Sequence, residues 1–128
     1  MDIFKDLNVE RFEGFLNNGI KVVLFYKQGA PVATTAMLKS GSVHDPVSMP
    51  GVAHFIEHMI VNGSQEFPTK DLLAEHIESV GGGFGAATGL DYMQVWTEIS
   101  EKVDYGRVVD VFNATLCKPL MDKGVFET

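Results

Sequence analysis

The spacing of hydrophobic and polar residues changes along this chain, and much of it has the spacing of β-strands. Residues 12–16 and 20–27 are rich in β-branched and aromatic side chains, and the Asn17-Asn18-Gly19 segment between them is a hairpin turn signal. Residues 32–39 repeat the strand pattern, and a longer run at 84–99 does so again. The sequence therefore predicts a hairpin and two further strands.

Helical spacing of apolar residues occurs in three segments. The first begins after Ser48, which we expect to cap it, has Pro50 in its first turn and ends at Asn62-Gly63. The second covers residues 69–80 and the third residues 101–117. The side chains predicted to face the core are Leu72, Leu73, Ile77 and Val80 in the second helix, and Tyr105, Val108, Val109, Phe112 and Leu116 in the third. Strands and hairpins followed by helices indicate an α+β layer, not a parallel doubly wound sheet.

The composition is that of one globular domain, with 128 residues, 45% of them hydrophobic and 21% charged. A net charge of −7 with no basic stripe argues against nucleic acid and against an anionic membrane surface as partners. The single cysteine, Cys117, excludes an internal disulfide. The first residues lack the pattern of a signal peptide, and no stretch approaches the roughly 18 apolar residues that span a bilayer. We therefore expect a cytoplasmic protein that does not bind membranes.

The first predicted helix contains a motif with the spacing of a metal site. At about 100° of rotation per residue, His54, Glu57 and His58 fall within roughly one third of the helix circumference. Two imidazoles at i and i+4 can both reach one Zn²⁺, and Glu57 can take a proton from a water at the metal; this H-x-x-E-H order is a known catalytic motif. The apolar residues predicted on the opposite, core-facing arc are Val52, Phe55, Ile56, Met59 and Ile60. On these residues alone, a solvated face of an amphipathic helix remains an alternative.

Other candidate residues have more ordinary interpretations. We expect His76 to be a packed histidine bonded to a backbone carbonyl, and His44 to be an exposed loop residue. Residues 81–85 superficially suggest a dinucleotide loop, but they follow a helix and lack the third glycine of the G-x-G-x-x-G motif, so a helix stop with close backbone approach is favoured. Cys117 is expected to be a small buried residue and not a zinc ligand. Glu127 is a candidate third ligand on its chemistry, although it lies in an acidic tail.

Together these residues resemble the pitrilysin/insulinase-type (M16) zinc peptidases, the family of the mitochondrial processing peptidase. The matching residues run in order along nearly the whole chain: 18–22, Gly41-Ser42, Asp45, 51–59, Asn62-Gly63, 78–82, Ala86, Thr88 and Asp91. The resemblance implies an antiparallel sheet with helices packed on one face. It also implies that residues 1–128 are a single partial domain, the N-terminal half of one metallopeptidase domain.

The same resemblance assigns roles to the motif. His54 and His58 would bind Zn²⁺, and Glu57 would activate the hydrolytic water of a zinc-dependent endopeptidase. A glutamate that the resemblance places beyond Thr128 would complete the metal site, and Glu127 stands too early for it. We therefore expect residues 1–128 to be inactive by themselves.

The resemblance also implies a peptide substrate, with a second homologous domain or self-association enclosing it. The edge of the sheet would pair with the substrate backbone. Gly85, Ala86 and Thr88 correspond to the segment that lines the cleft, and are the candidate substrate-binding residues. Gly85 departs from the family pattern, because members commonly carry an asparagine there.

Two further functions remain open. One is a non-catalytic assembly or scaffold subunit of the same family, although such a subunit has no need to retain His54, Glu57 and His58 together. The other is a lyase of the S-ribosylhomocysteinase type, which shares the H-x-x-E-H pattern and completes its site with a cysteine. Cys117 is the one cysteine that this chain offers for that role.

Overall fold

The computed structural model describes residues 3–100 and 104–126. They fall into two compact units, Met1–Ala30 and Pro31–Thr128. Glu127 and residues 101–103, the start of the predicted third helix, lie outside the described residues.

The first unit contains a short helix, α1 (Ile3–Asp6), and an antiparallel hairpin of β1 (Glu10–Phe15) and β2 (Lys21–Tyr26). Gly19 makes the turn possible, because it has a φ of +83° and its N–H donates to the Leu16 carbonyl at 2.9 Å. This confirms the predicted hairpin, with its first strand starting earlier than expected.

Charged and apolar side chains share one face of the hairpin. Arg11, Glu13 and Lys21 lie there beside exposed apolar residues, and both cations bind the Glu13 carboxylate. Two hydrogen bonds lower the pKa of Glu13 from its ordinary value, and the one from Lys21 has a larger effect than the one from Arg11. The other face is mostly apolar and exposed: it carries Phe12, Val22, Leu24 and Tyr26, with Glu10 at its end.

The second unit is built on three antiparallel strands in the order β3-β5-β4, with β3 at Val32–Leu38, β4 at Gly83–Thr88 and β5 at Met93–Ile99. The prediction of one run at 84–99 was wrong, because the chain reverses between β4 and β5. Gly89 N–H donates to the Tyr92 carbonyl at 2.8 Å to close that turn. Gly89 and Asp91 are typical turn residues that the strand-like residues on either side obscured.

Three helices pack on one face of this sheet: α2 (Val52–Val61), α3 (Lys70–Glu78) and α4 (Tyr105–Phe112). One core cluster consists of Leu73, Ile77, Ile99, Val108, Val111 and Ala114; a second consists of Ile60, Val61, Met93 and Val95, and Phe84 and Phe112 pack against both. A π-helical segment, Asn113–Cys117, continues α4, and a short helix α5 spans Lys123–Phe126. The α+β prediction is confirmed. No helix in the described part of the chain is long and apolar enough to cross a bilayer.

The second helix was predicted better than the third. Thr69 caps α3 by accepting a hydrogen bond from Leu72 N–H at 3.3 Å, and Gly81 ends the segment with a φ of +71°. Leu73 and Ile77 are fully buried as predicted, whereas Leu72 is exposed. Helix α3 buries one narrow stripe of its surface, and Leu72 lies beside that stripe.

The face predicted for the third helix was right in part. Val108 is fully buried and Phe112 and Leu116 pack against the core, whereas Tyr105 and Val109 are exposed. Val111 and Ala114, which the prediction did not include, join the core cluster that α4 shares with α3 and β5. Cys117, expected to be buried, is exposed at the end of the π-helical segment.

The sheet face away from the helices carries the chain's one tryptophan over a glycine. Trp96 in β5 pairs with Gly85 in β4, and a Cβ added to Gly85 would lie 2.6–2.9 Å from indole atoms. The indole therefore occupies the space into which any larger residue 85 would project. A glycine at this position lets an aromatic side chain cross the strand.

We predict that Gly85→Ala displaces this indole and lowers the free energy of unfolding by about 1–3 kcal/mol, the usual cost of overpacking. Tryptophan fluorescence should shift to the red, with easier quenching by acrylamide. Gly83→Ala is the matched control, because it lies on the same face of the same strand and its added Cβ would meet nothing within 4 Å. Equal effects of the two substitutions would contradict the packing described here.

Candidate metal centre

An aspartate from the preceding loop fixes the start of helix α2. The Asp45 carboxylate accepts hydrogen bonds from Gly51 N–H at 2.7 Å and from Ala53 N–H at 2.9 Å. Gly51 occupies the cap position with a φ of +90°. The predicted Ser48 cap was therefore wrong: a residue more distant along the chain satisfies the free N–H groups, and its negative charge suits the helix N-terminus.

The loop that carries Asp45 is held by the turn between β4 and β5. Ser42 N–H donates to the Gly89 carbonyl at 3.1 Å, and Val43 N–H donates to the Leu90 carbonyl at 2.8 Å. A Cβ on Gly41 would lie 2.6 Å from the Gly89 oxygen, so the close approach requires glycine there. These contacts couple the start of α2 to the end of β4.

The two histidines of the motif lie on the exposed side of α2. The Nε2 atoms of His54 and His58 are 3.1 Å apart, and their ring centroids are separated by 4.6 Å. Two nitrogens bound to one tetrahedral zinc at the usual bond lengths lie about 3.3–3.4 Å apart. The pair is therefore spaced to share a zinc ion with little movement, and its exposure leaves room for further ligands.

Glu57 completes the group. One ligand atom from each of His54, Glu57 and His58 lies within 4.8 Å of the others, and this is the one such cluster of metal-ligating side chains in residues 3–100 and 104–126. Unlike the histidines, Glu57 is buried, with 8% of its surface exposed. The Thr88 hydroxyl, at the end of β4, donates to its Oε2 at 2.7 Å.

This burial corrects the expected orientation of α2. Met59 and Ile60 are buried as predicted, and Ala53 and Glu57 are buried with them, whereas Phe55 and Ile56, also predicted to face the core, are exposed. The carboxylate can lie against the sheet because a hydroxyl donor meets it there. The predicted polar arc is thus divided: the imidazoles face outward and the carboxylate faces β4.

The candidate substrate-binding residues fall on both faces of β4. Ala86 packs against the core cluster and Thr88 bonds to Glu57, so both face the helices. Gly85 faces the other way, beneath Trp96. The sequence analysis did not predict the contact between Thr88 and Glu57. Alternation along a strand does place the Thr88 side chain on the same face as that of Ala86, two residues earlier.

The remaining histidines lie outside the cluster. His76 is half-buried, and its Nε2 lies 2.9 Å from the Asp110 carboxylate while its Nδ1 lies 3.2 Å from the Arg107 guanidinium. It is a packed histidine as predicted, but its ring bonds to side chains instead of a backbone carbonyl. His44 is exposed as predicted, and its Nδ1 accepts a hydrogen bond from Gly41 N–H.

Comparison with known proteins places this geometry in a family. The model of the family described as insulinase (peptidase family M16) matches residues 21–128. Protease 3 of Escherichia coli (strain K12) is 33% identical over 109 residues, which are 84% of this chain and 11% of that protein. The mitochondrial-processing peptidase subunit beta of Dictyostelium discoideum is 30% identical over 112 residues, 88% of this chain and 24% of that protein.

Solved structures agree with the sequence comparison. The crystal structure of pitrilysin superimposes on 94% of this chain with a TM-score of 0.81 and 30% sequence identity, and the match covers 13% of the pitrilysin chain. The chain thus spans a small part of the length of the relatives it matches. A family model that covers most of the chain, together with similar proteins at this level of identity, shows that the chain belongs to the insulinase family of peptidases, family M16.

Proposed function

We propose that this chain supplies the metal helix of a zinc-dependent endopeptidase. The observation that carries the proposal is the pair of exposed imidazoles with Nε2 atoms 3.1 Å apart, beside a buried carboxylate on the same helix. Membership of a peptidase family supports the same reaction. His54 and His58 would hold the zinc ion, and Glu57 would act on the hydrolytic water.

Zinc bound there would supply Lewis acidity toward a water molecule and toward the carbonyl oxygen of a peptide bond. Glu57 would accept the proton of the attacking water and return it to the leaving amine. The exposed imidazoles leave the approach to the metal position open to a peptide. Burial keeps bulk water away from the carboxylate, which strengthens its electrostatic interaction with the reacting atoms.

We also propose that residues 1–128 form the N-terminal half of one peptidase domain, and that they are inactive alone. The greater length of the relatives supports this proposal. The apolar, exposed hairpin face of Phe12, Val22, Leu24 and Tyr26 supports a second homologous domain or self-association as its cover. The substrate would be a peptide, with Gly85, Ala86 and Thr88 as the candidate contacts. A single cysteine, and no internal disulfide, is compatible with the cytoplasm.

The lyase alternative receives no support from the geometry. It would need Cys117 near the histidines, and the cluster in the described part of the chain consists of His54, Glu57 and His58 without it. The scaffold alternative differs from the peptidase in metal binding and turnover, so the next two experiments decide between them.

We predict that His58→Ala weakens zinc binding by more than about 10–100-fold, since losing even an outer partner of a ligand typically costs that much. Zinc titration followed by calorimetry or equilibrium dialysis measures the change. His44→Ala is the matched control, because His44 is also exposed but lies outside the cluster. Zinc binding by this variant should equal that of the wild type. Equal loss in both variants, or in neither, would overturn the assignment of the ligands.

We predict that Glu57→Gln lowers peptide hydrolysis by the complete protein by about 10²–10⁴-fold, the usual contribution of general-base assistance. Glutamine keeps the size of the side chain and an oxygen that accepts the Thr88 hydrogen bond, but it cannot take a proton from water. Zinc content, measured by atomic absorption, should stay near that of the wild type. Wild-type turnover by this variant would show that Glu57 is not the base, whereas no turnover by the unsubstituted complete protein would favour the scaffold subunit.

A further inference from the structure

One side chain outside the motif contacts the proposed catalytic base. Thr88 Oγ1 donates to Glu57 Oε2 at 2.7 Å, a short distance typical of a hydroxyl bound to a carboxylate. Glu57 is buried, so this donor replaces part of the hydration that the carboxylate loses. The contact joins residues 31 positions apart, in α2 and in β4.

The fold fixes the position of this hydroxyl. Thr88 is the last residue of β4, and alternation along the strand places its side chain on the helix face with those of Phe84 and Ala86. Pairing with Met93 holds its backbone in the sheet, and β-branching restricts its χ1. The donor therefore belongs to a rigid element.

The helix that carries the acceptor is tied to the same end of the strand. Asp45 bonds to the first N–H groups of α2, and the loop before it bonds to Gly89 and Leu90, the residues that follow Thr88. The separation of Thr88 and Glu57 is thus set from both sides of the contact.

Without a hydrogen-bond partner, the Glu57 carboxylate would not keep one orientation. The terminal torsion of a glutamate side chain is broad, so Oε1 and Oε2 exchange places readily without a partner. A donor on Oε2 leaves Oε1 as the oxygen available to a water molecule. Proton transfer requires the base within hydrogen-bond reach in a productive geometry.

We propose that Thr88 is a positioning residue, whose hydroxyl orients the Glu57 carboxylate so that its other oxygen faces the hydrolytic water. The inference rests on the proposed peptidase function. It gives Thr88 a role through Glu57, distinct from the substrate contact predicted from sequence. Loss of the hydroxyl should therefore lower kcat and leave KM nearly unchanged.

The test compares Thr88→Val with Thr88→Ser in the complete protein. Valine keeps the shape and removes the donor, whereas serine keeps the donor and removes the methyl group. We expect valine to lower kcat by about 10–100-fold, the usual cost of removing an outer partner of an active-site group, and serine to retain most of the activity. Zinc content and KM should be near wild type in both. Thr88→Ala against Thr88→Ser repeats the comparison with a difference of one oxygen atom if the valine variant does not fold.

Thr97→Val is the matched control. Thr97 lies on the helix face of the neighbouring strand β5, is fully buried, and its Oγ1 has no hydrogen-bond partner in the described part of the chain. Its substitution removes a buried threonine hydroxyl without touching Glu57, so kcat should stay at the wild-type value. Equal losses for Thr97→Val and Thr88→Val would assign the effect to packing and overturn the proposal.

A second test measures thermal stability and does not depend on peptide hydrolysis. In the zinc-free protein, Thr88→Val should lower the Tm in the wild-type background and change it much less in a Glu57→Leu background, because the acceptor is already gone. Equal Tm changes in both backgrounds would show that the contact is absent and would overturn the inference. Failure of the peptidase function is distinguishable, since Glu57→Gln would then keep wild-type turnover. An inactive Glu57→Gln with a fully active Thr88→Val would refute the positioning role alone.

Discussion

The placement of a carboxylate between helix α2 and strand β4 constrains this part of the molecule more than any other interaction. A buried carboxylate loses hydration worth several kcal/mol and is tolerated only with a partner. Here the partner is the Thr88 hydroxyl, so the hydrogen bond fixes both the position of α2 along β4 and its rotation about its own axis. That rotation turns His54 and His58 outward, together and on the same side. The geometry of the proposed metal ligands therefore follows from the burial of Glu57 beside them.

The rest of the unit supports that placement from two directions. Asp45 holds the first turn of α2, and the loop before it is bonded to the turn after β4. On the other side, Ile60 and Val61 pack with Met93 and Val95 of the central strand. Apolar packing of this kind resists sliding of the helix along the sheet but leaves its exact rotation loosely defined. The hydrogen bonds at the start of the helix and at Glu57 define the rotation.

Local signals in the sequence predicted most of the elements, although not the turn between β4 and β5, and they did not predict how the helices are oriented. The turn at Gly19, the start of the second helix near Thr69 and the spacing of His54 and His58 each depend on residues close together in the chain, and the structure contains all three. The face of α2 could not be read in the same way. Both arcs of the helix offer apolar residues, and the buried arc is the one that packs on Met93 and Val95 and brings Glu57 to Thr88, 31 residues further along the chain. Helix propensity carries no information about such a contact.

The errors in the third helix and at the cap have a similar origin. The buried stripe of α4 passes through Val108 and Val111, which pack with residues of α3 and β5, and this packing leaves Tyr105 and Val109 exposed. Asp45 replaced Ser48 as the cap because a loop folded back onto the helix, a long-range event that local preference for serine does not describe. In each case a tertiary contact overrode a sound local rule.

The division between exposed imidazoles and a buried carboxylate also suits the proposed chemistry. Metal ligands need open coordination positions, which exposure of His54 and His58 allows. A proton acceptor gains from low dielectric and a fixed orientation, which burial of Glu57 against β4 provides. An amphipathic helix with all three polar residues in water would satisfy the first need and fail the second. A helix whose polar residues only face water would not bury Glu57 against a strand and bond it to Thr88, so the burial of this carboxylate argues against the solvated-face interpretation of the motif.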